Sequence, residues 1–201
     1  MKKQTKKQLN KISKNLDYFF NLATKQDIKS GSNWYQDANN ITKDISSKYD
    51  VNPYKVASVI SCLSPRNRWE QNLKDAAKVC EAFKFGLHPE DIKVCTFHTN
   101  KYKAFNILAG NLEITLNSLK TFNFVQNIAY LNDDYLTVDI WHIRACLKEY
   151  RSIKNANIGK VAYQQIKELT IKKAEELNLT GFQYQAILWL SCQNYYNNLN
   201  N

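Results

Sequence analysis

Glycine and proline are scarce in this chain, five and three respectively in 201 residues, too few for the many tight corners of a β-sandwich or for an open linker protein. A mostly helical fold is what remains. Long apolar runs are missing as well. Each is interrupted by Lys, Asn or Gln, short of the roughly 20 residues that cross a bilayer, so no membrane partner is expected. No apolar segment follows Met1-Lys2-Lys3-Gln4-Thr5-Lys6-Lys7, so no signal peptide is expected, and the cytoplasm is the expected location. Cys62, Cys80, Cys95, Cys146 and Cys192 are odd in number and widely spread, with neither the C-x2-C pairs of zinc sites nor the tight quartet of iron–sulfur clusters. They read as buried, reduced thiols. His88, His98 and His142 make no ligand pair at helical spacing, so no metal and no cofactor are expected. Acidic charge is the last shortage: 18 Asp and Glu stand against 28 Lys and Arg, a net +10 with a pI near 9.3. Such a balance points to a polyanionic partner, nucleic acid first.

What is present fits one ordinary domain or two small helical lobes. Leu9, Ile12, Leu16, Phe19, Phe20 and Ala23 recur at helical spacing over residues 8–29, a first amphipathic helix that Gly31 is expected to stop. Ser32 is expected to cap a second helix bearing Trp34, Tyr35, Ala38, Ile41 and Ile45, and Asn52-Pro53 opens a third that ends at Ser64-Pro65. A fourth runs over 67–85 and closes at Gly86. Shorter helices are expected over 100–109 before Gly110, over 113–119 and over 121–131, with a break at Asn132-Asp133-Asp134. The spacing then predicts helices over 138–150, 159–177 and 181–196, the last opened by a Thr180-x-x-Gln183 capping box. Leu136-Thr137-Val138 is a candidate brief strand. The Lys-rich residues 1–8 and Asn-rich residues 197–201 are expected to fray.

The most informative stretch is Thr137-Val138-Asp139-Ile140-Trp141-His142-Ile143-Arg144. It sets one carboxylate among apolar neighbours, with His142 close to one helical turn on. Taken alone it permits two readings, a helix cap at Asp139 or a functional carboxylate in an apolar setting. Val138-Asp139-x-x-His142, followed two residues later by Arg144, resembles the active-site segment of the helix-hairpin-helix DNA glycosylases of the endonuclease III type, in which the Asp is catalytic. Ile60-Ser61-Cys62-Leu63-Ser64 resembles the I-x-x-L-S helix end of that superfamily, whose following loop, here Pro65-Arg66-Asn67-Arg68-Trp69, contacts DNA. Residues 101–127 stand where the family keeps its hairpin, and Leu119-Lys120-Thr121 is similar to the end of that hairpin. The family hairpin is glycine-rich, whereas Ser118-Leu119-Lys120-Thr121-Phe122 has no glycine. Without the cysteine quartet, the resemblance is to cluster-free members. It covers residues 30–190 as helix order and three short motifs as identity.

The resemblance implies an all-α, two-lobed fold with lobes over 1–50 plus 135–201 and over 51–134, DNA as partner, and excision of a flipped base as the reaction. Asp139 would stabilise the sugar cation or activate water. Lys120, which precedes Asp139 by 19 residues, would be the Schiff-base nucleophile of a bifunctional member if Phe122 and Phe124 desolvate it. Arg66, Asn67, Arg68 and Trp69 would hold phosphates or stack on the vacated base, joined at the DNA by Thr121, Asn123, His142 and Arg144. A monomer is the expected state, and the lysine- and asparagine-heavy composition fits an AT-rich genome such as a phage's. The alternatives are an inactive DNA-binding or interaction protein of the same fold, and an enzyme acting on modified bases or nucleotides.

Overall fold

The computed structural model describes residues 1–150 and 158–199. Among these the fold is all-α with no strand: α1 (Lys6–Leu22), α2 (Lys25–Tyr49), α3 (Pro53–Leu63), α4 (Trp69–Lys84), α5 (His98–Ala109), α6 (Leu119–Tyr130), α7 (Ile140–Leu147), α8 (Lys160–Glu175) and α9 (Gly181–Leu199), with single 3-10 turns at Pro89–Asp91 and Leu116–Ser118. None of the helices described is long and apolar enough to cross a membrane. The chain divides into two compact units. The first joins Met1–Tyr35 to the chain from Asn132 onward, and the second is Gln36–Leu131. The first division therefore falls inside α2, not at residue 50.

The caps written in the sequence form as local chemistry dictates. Asn52 Oδ1 accepts from the Tyr54 N–H at 2.9 Å ahead of Pro53, and Thr180 and Gln183 exchange bonds of 3.0 and 3.3 Å. Gly86 and Gly110 take the left-handed conformation, at φ 70° and 81°, which glycine adopts without strain because it has no Cβ. Gly31 departs from expectation. It lies inside α2, where an added Cβ would come within 2.6–2.7 Å of Ile187 on α9. Its lack of a side chain serves a close helix–helix approach, so neither the stop at Gly31 nor the cap at Ser32 forms. The actual break lies at Ala23-Thr24, where Thr24 and Asp27 make a reciprocal box: the Thr24 N–H donates to Asp27 Oδ2 at 2.9 Å and the Asp27 N–H to Thr24 Oγ1 at 3.1 Å.

Other departures are smaller. The helix expected over 113–119 is reduced to the turn at Leu116–Ser118, and α7 stops at Leu147 because Lys148 turns left-handed at φ 52°. Leu136-Thr137-Val138 is not a strand. The lysine-rich start is tied down: the Gly159 N–H donates to Met1 O at 3.0 Å, and Gln4 exchanges backbone-to-side-chain bonds with Gln165 at 2.8 and 3.0 Å. At the other end α9 continues to Leu199, while residues 200 and 201 lie outside the described residues. Four cysteines are buried as expected, but Cys95 is exposed.

Each unit has its own core. In the first, α1 packs against α7, α8 and α9, and the buried residues include Ile12, Leu16 and Phe19 of α1, Ile143 and Cys146 of α7, Ile166 of α8, and Tyr184, Ile187 and Leu188 of α9. In the second, α3 is buried from Val56 through Leu63 and is packed by α4, α5 and α6, as expected of a helix that is apolar all round.

Candidate functional site

In the first unit the candidate carboxylate opens α7. Asp139 Oδ1 accepts from the His142 N–H at 2.8 Å, an N-cap that fixes the side chain at the helix start. The approach to it is rigid. The Val138 N–H donates to the Tyr163 hydroxyl at 3.1 Å, and that hydroxyl donates to Leu136 O at 2.7 Å. Leu136, Thr137 and Val138 are buried, whereas Asp139 is half-buried, so the carboxylate stands where the buried segment meets the surface. Tyr35 lies below, donating to Gln185 Oε1 at 2.9 Å. Burial, with the charge of Asp139 adding, pushes its phenol above the ordinary range and keeps it protonated.

His142 and Arg144 do not reach solvent as a DNA contact requires. The His142 ring is fully buried, with Nε2 3.0 Å from Thr170 Oγ1 and no hydrogen-bond partner for Nδ1 among the described residues. Desolvation pushes its pKa down to about 4, so the ring is neutral at pH 7. The Arg144 guanidinium is buried against two rings, 4.1 Å from the centroid of Trp141 and 4.0 Å from that of Tyr150. A cation held against aromatic faces in this way is a packing element. His142 is packed under the first turn of α7 and Arg144 under its last, positions set by tertiary burial.

In the second unit the basic turn between α3 and α4 is held by one acid. Asp75, buried on α4, accepts from Asn67 Nδ2 at 2.9 Å, from Gln71 Nε2 at 2.9 Å and from the Cys95 N–H at 2.8 Å. This clasp fastens the turn to the segment before α5. Arg66 takes the left-handed conformation at φ 59°, uncommon for a residue with a side chain. Its guanidinium lies 5.5 Å from the centroid of the exposed ring of Phe97. Arg66 and Arg68 are exposed. Trp69 is half-buried, edge-on to Phe124 of α6 at 6.4 Å.

The α6 candidates separate. Lys120 is exposed in the first turn, and Thr121 is half-buried. Asn123 is buried and donates back to Leu119 O at 2.6 Å, which turns it into its own helix and away from a DNA backbone. Tyr35 is buried as its helical spacing predicts, whereas no local pattern in the sequence distinguishes Asp75 or Phe97. Their roles come from partners distant in the chain. Among the described residues no group of three or more His, Cys, Asp or Glu comes together as a metal site. No curated protein and no solved structure matches the chain. A model of one family, described as a family of unknown function (DUF7178), matches residues 1–195, and the chain belongs to that family.

Proposed function

We propose that this protein acts on DNA as a base-excising glycosylase of the helix-hairpin-helix kind, with Asp139 as the catalytic carboxylate. The observation that carries the reading is the placement of Asp139: half-buried, oriented by the α7 cap, and fronting a buried segment that resembles the superfamily's active-site motif. The order of α3, the Arg66 turn, α5, α6 and the start of α7 supports the finer fold assignment. A target nucleotide would leave the stack, and positive charge would grow on its sugar as the base departs. A fixed anion beside that sugar stabilises the cation, and its second task is to take the proton of an attacking water. The exposed Arg66 and Arg68 serve as phosphate contacts. The exposed position of Lys120 favours water as the nucleophile over an imine, with strand cleavage weak or absent.

The test is a panel of duplex and single-stranded oligonucleotides carrying damaged or modified bases, with abasic sites and strand breaks scored separately. Asp139→Asn is expected to lower base release by orders of magnitude while DNA binding is kept, because it removes an interaction made in the transition state. Near wild-type excision in that variant would leave Asp139 as a helix cap. A second reading, a DNA-binding protein without chemistry, is favoured by the engagement of the Asp139 carboxylate as the α7 cap while Arg66 and Arg68 stay exposed. It predicts binding with neither product.

A further inference from the structure

The outer face of α1 carries charge that nothing in its own unit uses. Lys6, Lys7, Lys11 and Lys14 are exposed and line one shallow open depression with Gln8 and Asn10. None of the four lysines has an ion-pair partner among the described residues. Asp17, the acid nearest along the helix, is engaged by Lys173 of α8. No acidic residue occupies the first turn, so Lys6 and Lys7 put positive charge on the positive end of the helix dipole, an arrangement that weakens the helix. The stripe continues past α1. Lys148, at the end of α7, sets its Nζ 3.3 Å from the centroid of the Tyr18 ring, and Asn15 Nδ2 donates to Cys146 O at 2.8 Å, which holds the two helices together there.

We propose that this stripe, Lys6, Lys7, Lys11, Lys14 and Lys148, is a binding surface for the phosphate backbone of duplex DNA, separate from the arginine turn of the second unit. It rests on the DNA-acting reading only for the class of partner. Lys6 to Lys14 spans about 12 Å of helix, a length over which duplex DNA presents roughly seven phosphate charges. A linear array of exposed cations complements a linear polyanion of that density. An anionic membrane fits less well. A helix lying on lipid must offer its apolar face, and that of α1, Ile12, Leu16 and Phe19, is committed to the core. Because Lys148 ends the helix that Asp139 begins, the stripe places the backbone contact about 13 Å along α7 from the candidate carboxylate.

The experiment is a salt titration of the full chain on an unmodified duplex, comparing wild type with a variant in which Lys6, Lys7, Lys11 and Lys14 become Gln and Lys148 becomes Asn. Each neutralised phosphate contributes about 0.9 to the slope of log affinity against log salt, so the slope is expected to fall by about 4–5 in the variant. The matching Lys→Arg variant keeps the slope. Arg66→Ala lowers it by about one in either background, as expected of separate surfaces. Lys6→Glu is expected to raise the melting temperature while weakening binding, an opposition that a merely structural lysine would not produce. A wild type that binds duplex with an unchanged slope in the five-site variant overturns the proposal and leaves the DNA reading standing. A lowered slope without base release upholds it and sinks the glycosylase. No duplex binding by wild type sinks both. Loss of binding to phosphatidylserine vesicles, with the DNA slope intact, reassigns the stripe to lipid and also overturns it.

Discussion

Asp139 holds two duties in one side chain, and substitution separates them. Asparagine also caps helices well, so Asp139→Asn should melt near wild type while base release is lost. Asp139→Ala should cost about 1 kcal/mol of stability in addition, read as a shift in the denaturant midpoint. His142 gives a pH signature of the fold. Its pKa is pushed from 6.5 down to about 4 by burial, so between those values the unfolded chain binds the proton and the folded chain does not. Stability from this residue is complete above about pH 6.5 and falls as the pH is lowered toward 4, by roughly 3 kcal/mol in all. Chemical denaturation across pH 4–7 should show this component in the wild type and lose it in His142→Gln. Lys120 bears on the reaction path. Borohydride added during turnover is expected to trap no covalent protein–DNA adduct, since Lys120 is exposed on the first turn of α6 and no contact among the described residues holds its amine in place for attack. Efficient trapping that disappears in Lys120→Ala would replace the water route with an imine.

Helix ends were legible in the sequence wherever the signal is local. Asn52-Pro53, Gly86, Gly110 and the Thr180–Gln183 box each act within a turn of their own position, and each falls where the chain demands it. Local helix rules put a stop at Gly31, but the reason for that glycine is Ile187, more than 150 residues away in the chain. No helical rule distinguishes a glycine that ends a helix from one that lets another helix approach. The same divide runs through the candidate site. Asp139 as a cap is written in its immediate neighbours, whereas the burial of His142, Arg144 and Asn123 depends on Thr170, on Trp141 with Tyr150, and on the packing of α6. Gly31→Ala tests the point. Helix propensity alone predicts a gain of about 1 kcal/mol, but a Cβ within 2.7 Å of the Ile187 backbone has no flexible atom to displace. A net loss of about 1–3 kcal/mol is expected, measured by denaturant unfolding.

Across the whole molecule, thiol chemistry reports how the chain is closed. Cys95 is exposed while Cys62, Cys80, Cys146 and Cys192 are buried, and burial pushes the Cys62 thiol up to about 11 and those of Cys80 and Cys192 up to about 12. An aromatic disulfide reagent at pH 8 should therefore label one thiol promptly, and the remainder only at the rate of opening. Prompt labelling of two or more would contradict the packing of α3, α4, α7 and α9. The discontinuous first unit has a consequence during synthesis. Gln36–Leu131 is one contiguous stretch, complete as soon as it has left the ribosome, whereas the segment that carries Ile12, Leu16 and Phe19 finds its partners only in α7, α8 and α9. At about 5–20 residues per second, these three side chains wait roughly 6–24 s before synthesis even reaches α7, and longer before α8 and α9 are made. Over that interval the nascent chain shows an apolar stripe backed by lysines, the kind of segment a ribosome-associated chaperone holds.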